Sequence, residues 1–295
     1  MTETAAVAAG DVAPRPIVTI RSAERTVTVD ELGARIASIV HRKGATEFLL
    51  ETPWADKRWD PVQPDDGSSR EWHRRYPGGW HTLVPSAGDE RTVDGVEHPF
   101  HGEASWRSWN LVRSSIASCT YEVEFRTAPL RIRRTVSVVG ETVHVAQAVT
   151  NRSELPCTLS WTEHPALGSA VVGPRSQVLV AGQDVGVEFP QGEAGVSAFR
   201  TFEAVARGEA EIREPDTGAF ARLRWDAALL PYLHVWQEHN ATDGFPWWRA
   251  VSTIALEPAS RPYRSDDQES LGPIVLEAGR EVRADFVLTV GFVGE

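Results

Sequence analysis

Apolar and polar residues alternate one for one in short segments along this chain, and few folds accept that pattern. A strand turns successive side chains to opposite faces, so a period of two marks a strip with one buried and one solvated side. Residues 142–150, TVHVAQAVT, keep this period through much of their length. Residues 130–139 mix Ile132, Thr135 and Val138 with Arg131, Arg133 and Arg134. Similar segments stand at 17–20, 25–29, 35–40, 121–126, 155–162, 176–180, 218–225, 232–237, 251–257 and 282–289. Gly, Pro, Asp and Asn bound them, as strand ends require. Helical patterning is scarce: a turn is expected at 30–34 and a short helical piece within 193–207. Strands do not alternate regularly with helices, which argues against a doubly wound parallel sheet. The expected fold is all-β, a large antiparallel β-sandwich. It forms a single domain over residues 16–295, after a disordered lead at 1–15.

Two stretches break the pattern. Residues 54–80 are rich in charge, proline and glycine and carry Trp54, Trp59, Trp72 and Trp80. A connection of that length is expected to cover something. Residues 240–248 form a shorter loop with an aromatic end.

Charge and motifs remove several functions. The chain has 41 acidic and 30 basic residues, a net charge of −11, so neither nucleic acid nor an anionic membrane is the expected partner. A neutral ligand is unaffected. No apolar run reaches the ~18 residues of a membrane span. The start, MTETAAVAAGDVAPRP, lacks the basic and apolar regions of a signal peptide. The expected location is therefore the cytoplasm. Cys119 and Cys157 lie in apolar contexts and are expected as buried free thiols. The phosphate loop, the Gly-x-Ser-x-Gly elbow and the dinucleotide fingerprint are all missing, so nucleotide and serine-hydrolase chemistry lose support.

Tryptophan is overused, 11 in 295. Trp80, Trp106, Trp109, Trp161, Trp236, Trp247 and Trp248 lie near polar segments. An indole offers an apolar face and one donor, which suits the C–H face of a pyranose and suits a core equally well. Glu257 lies within STIALEPAS, an apolar run. Burial there would raise its pKa and fit it to abstract a proton; a strand-end glutamate facing solvent is the other reading. His164 closely follows an apolar segment and can supply a proton near neutral pH, or bond backbone as a loop residue. His101 precedes Gly102, which lets backbone approach a ligand. His98, His101 and Glu103 match no zinc spacing, so no metal is expected. His81 and Arg75 bracket the Gly78–Trp80 turn and are candidates for a rim.

These segments together resemble the galactose mutarotase-like, or aldose 1-epimerase, proteins. Residues 32–50, LGARIASIVHRKGATEFLL, are similar to that family's first hairpin. His101-Gly102 resembles its His-Gly motif. Residues 151–168, NRSELPCTLSWTEHPALG, resemble its asparagine–strand–histidine segment. STIALEPAS resembles its late Leu/Ile-Glu-Pro strand. The ordered set spans most of the chain, although each motif is short. The resemblance implies a one-domain antiparallel β-sandwich and an epimerase without cofactor. By it, Glu257 is the base at the C1 hydroxyl, His164 the acid at the ring oxygen, and His101 a support.

The resemblance also shows departures. The late hydroxyl-binding aspartate is not matched in LPYLHVWQEHN, where Gln237 is the best substitute. Arg75 is the candidate for an expected arginine, and Pro-Ala-Leu-Gly follows His164 in place of an aromatic pair. The expected substrate contacts are Trp80, His81, Arg75, Trp109, Trp161, Trp236, Gln237 and Trp247. Glu103 and Glu163 have no role in the family and are read as supporting or surface residues. The expected partner is a small-molecule sugar, bound by a monomer or homodimer. A noncatalytic carbohydrate-binding sandwich, a hexose-phosphate epimerase and a lyase or hydrolase relative remain as alternatives. The noncatalytic reading requires Glu257 and His164 to lie too far apart to share a sugar.

Overall fold

The computed structural model describes residues 16–56, 67–187, 189, 195–203, 205, 207–263 and 270–294. The expected lead at 1–15 and Trp59 lie outside them. Two nine-stranded sheets dominate, and every strand pair in them is antiparallel. The first runs Ile17–Arg21, Arg25–Asp30, Ile36–His41, Trp80–Leu83, Thr162–Leu167, Ser252–Ala259, Tyr232–His239 and Val196–Phe202, with Thr46–Glu47 beside Ile36–His41. The second runs Gln183–Asp184, Gln177–Val180, Glu209–Glu214, Ala219–Trp225, Glu281–Phe292, Thr142–Asn151, Leu130–Val139, Ser118–Glu124 and Asn110–Ser114. The all-β, one-domain sandwich expected from the alternation is the fold observed.

The second sheet shows why the alternation was legible. Leu130–Val139 and Thr142–Asn151 bury alternate residues, such as Ile132, Val136, Val143 and Val145, against the first sheet. Gly140 at φ 56° opens the two-residue turn that fixes their register. Full burial of one Val or Ile contributes ~1.5–3 kcal/mol, so this inner face holds the sheets together.

The centre of the first sheet differs. Trp80–Leu83 and Thr162–Leu167 are buried at every position, and Ser252–Ala259 at all but the first. Both faces are covered. One meets the second sheet. The other lies under the helix Ser68–Arg75 and a cluster of Trp54, Trp72, Tyr76, Phe100 and Trp247. The residue 54–80 stretch, expected to be irregular, thus carries a helix.

Two further expectations are corrected. The helical piece within 193–207 is the edge strand Val196–Phe202, whose residues are only partly buried and so show little pattern. The strand expected to close before His164 instead breaks at Ser160–Trp161, and His164 lies inside Thr162–Leu167.

Glu163 is also corrected. It is wholly buried between the sheets, where its carboxylate accepts from Trp80 Nε1 (2.7 Å), Trp161 Nε1 (3.0 Å), Gln147 Nε2 (2.6 Å), Arg134 (3.1 Å) and the Thr82 hydroxyl. Arg134 and Gln147 stand on the second sheet, so this cluster ties the two sheets together. A buried carboxylate is tolerated only when paired and bonded in this way.

Candidate active site

Strand register assembles the site. His81 pairs across from His164 on the neighbouring strand. The pairs Thr162–Ala259 and Ala166–Ala255 flank His164 and put Glu257 opposite it. Glu257 in turn pairs with His234. Four ionisable residues from four adjacent strands therefore form one transverse row on the outer face of the sheet. Alternation sends their neighbours Trp80, Glu163 and Leu256 to the core.

Within the row, His164 Nε2 lies 3.5 Å from Glu257 Oε1. Both line a cavity of about 280 Å³ with His101, Trp72, Tyr76, Trp236 and Trp247. The cavity is just below the ~300–1,000 Å³ of pockets for drug-sized ligands, so it suits one small ring. His101 enters from a turn. Its ring is 6.0 Å from that of His164 and packs edge-on to Trp72 at 5.0 Å. His101 and Gly102 have φ of 64° and 71°. A Cβ on Gly102 would sit 2.6 Å from the Ser86 carbonyl oxygen, so only glycine fits beside this histidine.

Burial sets the protonation. It pushes the Glu257 carboxyl up from 4.5 to about 8 and the His164 imidazole down from 6.5 to about 4. At neutral pH the pair therefore holds one proton, mostly on the glutamate. His101 is held well below its ordinary value by burial and by the neighbouring His164, His73 and His81. Its Nδ1 accepts from Gly88 N at 3.1 Å, which leaves the neutral ring's proton on Nε2 as a donor. His234 is likewise pushed to about 4 by burial, and its Nδ1 meets the Thr201 hydroxyl at 3.0 Å.

Of the residues expected from sequence, the structure brings His101, His164, Glu257, Trp236 and Trp247 to one cavity. His81 lies beside them in the row, with Nε2 donating to Gly78 O at 3.1 Å. Trp80, Trp109 and Trp161 are corrected. They are at most 2 % exposed, in the core, with their N–H groups donating to Glu163, Ala104 O and Glu163. Gln237 is fully buried next to Trp236 on the opposite face of its strand. Arg75 bonds Glu71 at 2.6 Å along the helix and does not line the cavity. Glu103 is buried and accepts from Arg126 N and Thr127 N, so it shapes a loop.

Tyr76 was missed. It lines the cavity at 2 % exposure, its hydroxyl has no hydrogen-bond partner, and its pKa is raised by burial and by Glu257. Its ring stacks on Trp247 with centroids 6.1 Å apart. The aromatic run around Pro77-Gly78-Gly79 was the available signal. Among the described residues, no group of three or more His, Cys, Asp or Glu could hold a metal ion. No helix among them is long and apolar enough to cross a membrane.

No family model matches the chain, and no curated protein matches it by sequence. Solved structures do match. A galactose mutarotase related enzyme from Lactobacillus acidophilus is 16% identical over 94% of this chain and 97% of its own, with a TM-score of 0.68. A galactose mutarotase-like protein from Lactobacillus casei is 14% identical over 94% and 100%, with a TM-score of 0.64. An aldose epimerase homologue from C. elegans is 15% identical over 95% and 100%, also at 0.64. The likeness runs over nearly the full length of each, and at these identities it is a likeness of fold.

Proposed function

We propose that this protein is an aldose 1-epimerase that interconverts the α and β anomers of a sugar by opening its ring. One observation carries the reading: a carboxyl and an imidazole, 3.5 Å apart and both shifted by burial, face one aromatic-walled cavity. That separation suits proton transfer at two adjoining atoms, and the noncatalytic alternative required the two groups to be far apart.

The hydroxyl on C1 and the ring oxygen are bonded to the same carbon, so two groups in contact can serve both. The reacting form is the minor one, with the pair's shared proton passed from Glu257 to His164 across their 3.5 Å contact; Glu257 as carboxylate then takes the C1 hydroxyl proton. The C1–ring oxygen bond breaks, its electrons go to that oxygen, and His164 as imidazolium protonates it. The open aldehyde rotates about C1–C2, and reversal of the steps closes either anomer. His101 Nε2–H donates to a sugar oxygen. The indoles of Trp236 and Trp247 pack on C–H faces and exclude water, which strengthens the electrostatics of both transfers.

The test follows anomer exchange by NMR across a panel of free aldoses. Wild type is expected to accelerate exchange on at least one, and Glu257→Gln to lose at least about a hundredfold, the usual size of a general-base contribution. Equal rates for both proteins on every accepted sugar would sink the mechanism.

A further inference from the structure

Strand register places the row of His164, Glu257 and His234 between two others on the outer face of the first sheet. Two residues along the strands in one direction lie Ala166, Ala255 and Trp236. Two residues along in the other direction lie Leu83, Thr162 and Ala259. The cavity of about 280 Å³ stands on the Trp236 side, and a smaller one of about 40 Å³ stands on the Leu83 and Thr162 side. His164, Trp236 and Trp247 border only the larger cavity, and Leu83, Thr162 and His234 only the smaller. Glu257 and His101 border both, so space flanks the carboxyl on two sides.

The smaller cavity has the form of a seat for one short polar group. At ~10–15 Å³ per water it has room for about three water-sized groups. It cannot widen at Gly88, where a Cβ would already stand 2.9 Å from Tyr263 Cε2. Thr162 is 2 % exposed, and its hydroxyl has no hydrogen-bond partner among the described residues. Buried hydroxyls are normally bonded, so this one marks the place of a ligand's hydroxyl.

We propose that the smaller cavity receives a hydroxymethyl arm on the anomeric carbon, so that the site turns over 2-ketoses and prefers them to aldoses. This rests on the acid–base reading of Glu257 and His164. An anomeric carbon has four bonds. Two lead to the hydroxyl and the ring oxygen, which the Glu257–His164 row holds. The third leads into the ring, and so into the larger cavity. The fourth points past the row toward Thr162. In an aldose it ends in hydrogen; in a 2-ketose it carries CH2OH. The methylene of that arm packs on Leu83, and its hydroxyl bonds the Thr162 hydroxyl. The chemistry is unchanged. Glu257 takes the anomeric hydroxyl proton, the bond from the anomeric carbon to the ring oxygen breaks toward that oxygen, His164 protonates it, and a ketone replaces the aldehyde. A phosphate on the arm exceeds the space and sets its charge against Glu257, which must ionise in the reaction.

The experiment follows anomer exchange by NMR on two matched pairs, fructose with D-arabinose and tagatose with D-lyxose. Within each pair the pyranose rings share their configuration and differ only by the arm. Wild type should show a ketose-to-aldose ratio of kcat/KM of at least about ten, the worth of one hydrogen bond and one buried methylene. Thr162→Val keeps the shape without the hydroxyl and should lower that ratio about fivefold. Fructose 1-phosphate should not be turned over. A wild-type ratio near one or below, a ratio that Thr162→Val leaves unmoved, or exchange on fructose 1-phosphate overturns the arm site and leaves the epimerase standing. Exchange on no sugar overturns both.

Discussion

Glu257 is held where an ionised carboxylate is unwelcome, so replacing it should stabilise the fold while removing its chemistry. Its pKa rises from 4.5 to about 8 through burial. Below pH 4.5 both folded and unfolded chains keep the proton, and Glu257→Gln changes little. Between there and about pH 8 the unfolded chain gives up its proton while the folded chain keeps it, so wild type loses stability as pH rises. Above about 8 both are ionised and the loss is complete. At ~1.36 kcal/mol per pKa unit, the full loss is about 5 kcal/mol, with about 3 kcal/mol present at pH 7 and under about 1 at pH 5. Glutamine keeps the shape and does not ionise. Paired denaturant unfolding of wild type and Glu257→Gln at pH 5, 7 and 9 isolates this effect, because both proteins share every histidine. The variant's advantage should grow across that series. A constant difference, or a variant less stable at pH 9, would refute the claim that burial strains this carboxylate.

The pH dependence of kcat/KM should be flat between about 4 and about 8, because the His164–Glu257 pair holds one proton throughout that window; either location of the proton gives the same plateau. It should fall below the window, where no base remains, and above it, where no acid remains; a single limb near 6.5 contradicts the coupled pair. Tyr76→Phe removes a buried hydroxyl that has no partner, so unfolding should show stability equal or better by about 1 kcal/mol. Its kcat/KM should drop about tenfold through the lost contact to sugar, and an unchanged rate would remove Tyr76 from the site. Glu163→Ala strands Arg134 between the sheets and should cost ~3–5 kcal/mol in denaturation, with Arg134→Met on the same chain recovering part of it. A single-variant loss under about 1 kcal/mol would contradict the tie between sheets.

The sequence carried the fold wherever one face of a strand is wet. Residues 130–150 read plainly because Arg131, Arg133, Thr135 and Ser137 mark successive outward positions of Leu130–Val139. It carried less where both faces are dry. In Trp80–Leu83 and Thr162–Leu167 every residue is buried, so nothing local says which way Trp80 or Glu163 points, and Trp161 lies in the break just before the second strand. Both indoles belong to the core, where they donate to Glu163; the groups that draw Glu163 inward, Arg134 and Gln147, stand on the other sheet and are distant in sequence. The row His81–His164–Glu257–His234 was invisible for the same reason: it runs across strands and has no sequence spacing. The helix Ser68–Arg75 did have a signal, Glu71 in its first turn and His73, Arg74 and Arg75 in its last, which the surrounding prolines and glycines masked.

Glu163 and His164 are neighbours on one strand, one facing the core and one the cavity. If that strand paired one residue out of step, the carboxylate would stand among the cavity's indoles and the imidazole would meet Arg134 between the sheets. Both misplacements are costly, and they arise together. The strand thus proofreads its own alignment: the ionic tie that rejects the shifted sandwich also rejects a miswired site. A chain that reaches the stable sandwich has therefore assembled the His164–Glu257 pair in the same step.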